Sequence, residues 1–151
     1  MAERGPMRMF RHLFRAGVAL ALAIVSAFPL GAGDLYSQPP FDEAELTRLI
    51  GDLPRFRAWA KAGGQRIHPT VAPDGRADFS YSPQAAAHAE SLGWNAERFF
   101  CVMGRAAAAV AVIEQGTDIT TNRPPDMPEV TPEELRLVRE NLSDLLRAVT
   151  D

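Results

Sequence analysis

Apolar residues recur at the helical period in four stretches, and each stretch opens with a start signal. In the first, Leu46, Leu49, Ile50, Leu53, Phe56 and Ala60 fall on one face. Asp42 precedes them as N-cap, Glu45 three residues on completes a capping box, and Phe41 with Leu46 forms a hydrophobic staple. Pro54 interrupts the run, which predicts a kink or two short helices meeting at Leu53-Pro54. Gly63-Gly64 ends it. Ser82-Pro83 opens a short second helix that reaches Ala89, with Gly93 as its stop.

Asn95 caps the third helix, Trp94 and Phe99 staple it, and Gly116 closes it. Phe99, Met103, Ala106, Val110 and Ile113 make one stripe. Phe100, Val102, Ala107, Ala109 and Val112 make most other faces apolar too. A helix apolar nearly all round is expected to be buried all round, between the first helix and the last. On that reading a charge at Ala107 or Val110 prevents folding. Thr131-Pro132-Glu133-Glu134 is a second capping box, stapled by Val130 and Leu135. Leu135, Val138, Leu142, Leu145 and Val149 then continue one face to the C-terminus.

The pattern therefore predicts an all-α fold: a small helical bundle of about four helices, the first kinked at Pro54. Residues 34–151 form one helical domain with long loops at 63–81 and 115–129. A small hairpin around Pro73-Asp74-Gly75 is the alternative for the first loop. Ile67, Val71, Phe79 and Tyr81 would then cover the core, with Pro69 weighing against it.

Residues 1–33 read differently. Arg4, Arg8, Arg11 and Arg15 precede an apolar run from Ala16 to Phe28, followed by Pro29 and the small residues Gly31-Ala32-Gly33. This is the tripartite pattern of a secretory signal peptide, with the cut expected after Gly33. The run is short for a membrane span, which needs about 20 residues. An uncleaved inner-membrane anchor is the alternative. The expected location is periplasmic or secreted, with membrane contact through this segment alone.

The chain has 151 residues and a formal charge of -3. Beyond residue 33 it carries 12 basic and 18 acidic side chains, which argues against nucleic acid as a partner. Cys101 is the one cysteine, so the exported chain cannot form an internal disulfide, and its apolar surroundings suggest an inert core thiol. His68 and His88 lack metal-site spacing. A soft set of His88, Cys101, Met103 and Met127 has residue type alone behind it, and Met103 belongs to the core stripe. No metal or cofactor is expected.

Four residues remain as candidates for binding a ligand or partner: Arg98, Arg105, Trp59 and Trp94. Arg98 stands in the first turn of the third helix, where the helix dipole disfavours a cation. Arg105 is charged amid an apolar stretch and needs a carboxylate, for which Asp52, Glu45 or Glu140 are available. The two tryptophans could line an apolar pocket. Structural ion pairs and core packing are the plainer explanations of all four. Glu133, Glu134, Glu140 and Asp144 read as a solvated face, apart from the cap. No catalytic constellation is visible. The expectation is a non-enzymatic exported module that binds a protein or itself, with small-molecule or metal binding as the alternative.

Overall fold

The computed structural model describes residues 34–116 and 118–151, so the expected leader at 1–33 lies outside them. The described chain is mostly helical: a 3-10 turn at Leu35–Ser37 precedes α1 (Glu43–Ala62), β1 (His68–Val71), β2 (Ala77–Ser80) and α2 (Pro83–Ser91). Then come α3 (Ala96–Gln115), α4 (Asp118–Thr121), α5 (Pro132–Glu140) and α6 (Leu142–Thr150).

The start signals work as the side chains dictate. Asp42 accepts from the Glu45 N–H, and the Glu45 carboxylate takes the Asp42 N–H in return; Thr131 and Glu134 repeat the exchange. Ser82 and Asn95 each accept one amide of their first turn. Trp94 meets Phe99 edge-on at 5.4 Å, the staple expected from their spacing.

Among the described residues six helices stand where the end signals predict about four, and the differences have local causes. Asn141 splits the last one: its Nδ2 donates to the Leu137 carbonyl at 2.9 Å, its backbone N–H reaches Leu137 and Val138, and α6 starts anew. This break lets α5 pack on α3 and α6 on α1. Helix α1 runs on through Pro54 rather than dividing there; Pro54 has no N–H to give the Ile50 carbonyl. The 115–129 loop contains α4.

The 63–81 loop folds as the two-stranded antiparallel hairpin, pairing His68 with Ser80 and Val71 with Ala77. Gly75 supports its turn, donating to the Ala72 carbonyl at 2.9 Å. Phe79 is buried and Ile67 and Tyr81 rest on the core, but Val71 is exposed, because the strand faces solvent at that end.

Helix α3 packs against α1, α2, α5, β2 and the N-terminal turn. It is not buried all round. Phe99, Phe100, Val102 and Ala109 are core, whereas Ala107 is exposed and Val110 partly so. A charge at Ala107 is therefore compatible with folding, contrary to the expectation from composition. Among the described residues no helix is long and apolar enough to cross a membrane.

Candidate binding cleft

Arg98 solves the problem of its position by leaving the helix. Its Nε and Nη2 grip Glu45 at 2.7 Å each, Nη1 donates to the Pro39 carbonyl at 2.6 Å, and Nη2 reaches Pro40 at 3.3 Å. The guanidinium thereby ties α3 to α1 and to the extended segment before it. This bond, more than any other influence, holds the Glu45 carboxyl below its ordinary value. A carboxylate with a depressed folded pKa adds stability above its unfolded pKa and loses it as pH falls through the folded one. Arg98→Met should cost about 1–2 kcal/mol near neutral pH. The deficit should shrink on acidification through the carboxylate range. Urea midpoints across that range test it, and a deficit independent of pH would remove Glu45 from the account.

Arg105 has a partner other than the three named from the sequence. Its Nη1 donates to Glu134 at 2.9 Å, and its Nη2 donates to the carbonyls of Tyr36 at 2.9 Å and Gln38 at 3.3 Å. Glu134 is fully buried rather than on the solvated face expected of it, because it pairs with Arg105 and also accepts the N–H groups of Phe41 and Thr131. Asp52, Glu45 and Glu140 are engaged elsewhere, with Trp94, Arg98 and Arg136 respectively. The cap acid is thus a buried hub joining α5, α3 and the N-terminal segment.

The two tryptophans are structural. Trp94 is buried, donates to Asp52 at 2.9 Å, and carries the Arg48 guanidinium 4.6 Å above its ring. Trp59 stacks on His88 at 4.3 Å with the planes 7° apart, and both flank Phe56. Cys101 is buried against Arg98, whose Nη1 lies 4.0 Å from the sulfur; burial raises its thiol pKa, as suits a core residue.

Of the four candidates, Arg105 lines a cavity and the other three lie away from it. The cavity is a cleft of about 500 Å³ between the N-terminal turn, the hairpin turn and the 123–129 loop, walled by Asp34, Tyr36, Arg76, Arg105, Arg123 and Glu129 among others. Arg76 pairs with Asp74 and, at 3.3 Å, with Asp34; Arg123 pairs with Glu129 at 3.3 Å. A second, more apolar hollow of about 250 Å³ shares Tyr36, Pro124, Met127 and Pro128 with the cleft. It runs over Gly104, Ala107, Ala108 and Ala111 of α3 to Ile119. Of these, Ala107 is exposed and Ala111 partly so, whereas Gly104 and Ala108 are buried.

Tyr36 is the common wall. Its ring lies on Gly104, where a Cβ would fall on the phenol oxygen, so glycine is required at this approach. The hydroxyl is buried with no hydrogen-bond partner. Burial, ahead of nearby charges, pushes its pKa well up, so it remains a proton donor. Sequence reasoning missed Tyr36, Arg76 and Arg123 because their loops meet only in the fold. The bulkless run around Gly104 was the one visible signal of a close approach.

No protein-family model, curated protein or solved structure matches the chain.

Proposed function

We propose that the protein is a non-enzymatic binding protein, exported through its N-terminal segment to the periplasm or beyond, whose ligand sits in the cleft beside Tyr36. The observation that carries this reading is the cleft itself, in which Arg76, Arg105 and Arg123 from three separate segments line one hollow with Tyr36. The volume of about 500 Å³ suits a small molecule. The carboxylates lining the cleft, Asp34 and Glu129, are paired with arginines, which favours holding a ligand over proton transfer.

A protein partner or self-association is the other way such a module could act. The surface favours the small molecule, since Val71 and Val149 are the large apolar side chains exposed among the described residues, too few for an apolar docking patch. Export rests on the leader pattern of residues 1–33.

Mass spectrometry of the protein from its own cell envelope tests both parts. The native spectrum should carry a mass excess that denaturation strips, and the denatured chain should begin near Asp34. A bare chain in every native preparation would overturn ligand binding. A denatured mass retaining residues 8–33 would replace export by anchoring.

A further inference from the structure

We infer that removal of the leader and docking of the N-terminal arm, residues 34–41, exclude one another: the Gly33–Asp34 bond is cut while the arm is free, and the docked arm shields it. This rests on the export part of the reading above. In the fold the arm is held at both ends and along its backbone. Leu35 and Phe41 are buried, and the Tyr36 ring lies on Gly104. Two arginines of α3 grip the backbone between them: Arg105 donates to the carbonyls of Tyr36 and Gln38, and Arg98 to those of Pro39 and Pro40. Each guanidinium is itself fixed by a carboxylate, that of Glu134 for Arg105 and of Glu45 for Arg98.

A peptidase takes its substrate as an extended strand, with backbone groups beside the cut free to pair with the enzyme. On the Asp34 side those groups are already in use. The Asp34 carbonyl accepts the Ser37 N–H at 3.1 Å and the Ser37 hydroxyl at 2.8 Å. The Asp34 carboxylate accepts the Tyr36 N–H at 3.1 Å and pairs with Arg76 at 3.3 Å. Leu35–Ser37 is a 3-10 turn, not an extended strand. Reach is a second obstacle. Residues 29–33 alone join the apolar run ending at Phe28 to Asp34, about 17 Å at full extension. A docked arm therefore leaves a membrane-bound peptidase little room between the bilayer and the domain, whereas a freed arm adds about 27 Å. Hydrolysis adds water across the amide, leaving a carboxylate on Gly33 and an ammonium on Asp34. Cutting a folded chain must wait for the arm to open, at a rate set by the open fraction.

The test sets leader peptidase in detergent on the full chain of residues 1–151 and on a synthetic peptide of residues 8–41. Mass spectrometry follows the product that begins at Asp34. The peptide should be cut at least about tenfold faster than the folded chain. Gly104→Ala is the decisive variant: its Cβ displaces the Tyr36 ring, yet the sequence around the cut is unchanged. It should speed cutting of the folded chain about tenfold, toward the rate of the peptide. Tyr36→Ala empties the same seat and should act likewise, while a peptide carrying that change is cut as wild type. It decides the case if Gly104→Ala loses its cooperative melt. A folded wild-type chain cut as fast as the peptide would overturn the inference and leave export standing. So would protection that both variants retain. A peptide left uncut would overturn the export reading, and this inference with it.

Discussion

Glu134→Ala is expected to lower folding stability by about 3–5 kcal/mol, the cost of leaving a buried charge without its partner. Glu134 has no exposed surface, and the side chain of Arg105 is 10% exposed, so water cannot replace the lost carboxylate. The same substitution strips the acceptor from the Phe41 and Thr131 N–H groups. It therefore loosens the N-terminal segment and the start of α5 together. Against a total of about 5–15 kcal/mol for a domain, the urea midpoint should fall steeply. Glu134→Gln should lose less, because its amide oxygen still accepts. The double change Arg105→Met with Glu134→Leu should recover only part of the loss. It removes the unpaired charge but still leaves two amides unmet, at about 1–3 kcal/mol each. A Glu134→Ala loss below about 1 kcal/mol, the range of surface pairs, would show that the hub does not hold the three segments.

Phe56→Ala should cost a similar amount, about 3–5 kcal/mol, for a different reason. Phe56 is 2% exposed and lies among the rings of Phe99 at 4.7 Å and of Trp59, His88 and Phe100 at 5.8 Å. Truncation opens a cavity bounded by stiff aromatic rings, which cannot close in as flexible aliphatic chains do. The Trp59–His88 stack loses its backing, so the near-ultraviolet circular dichroism of the native protein should change as well as its urea midpoint. A loss near 1 kcal/mol with an unchanged spectrum would mean that the cluster repacks freely and that Phe56 is not its centre.

What could be read without the fold was whatever a few neighbouring residues settle among themselves. The starts of α1, α2, α3 and α5 are legible because a capping side chain and the amides it serves lie within four positions. The burial of Trp94 and Phe99 follows the same way from their places on either side of Asn95. Asn141 shows the limit of such reasoning. Its amide can cap a helix or point outward from one, and the packing of α5 on α3 and α6 on α1 decides between them.

The candidate site divides along the same line. From the sequence alone come the helical class, the isolation of Cys101, the anomaly of Arg98 and Arg105, and the leader pattern at the N-terminus; each depends on residue type and short-range spacing. The pairing of Arg105 with Glu134, 29 positions away, and the meeting of Tyr36 with Gly104 belong to the tertiary structure. So does the opening of the Ala107 strip between α3 and the 123–129 loop. Composition made that strip look like core because alanine and glycine are apolar. Whether a small residue is covered depends on which distant segment arrives beside it, and a local pattern carries no record of that.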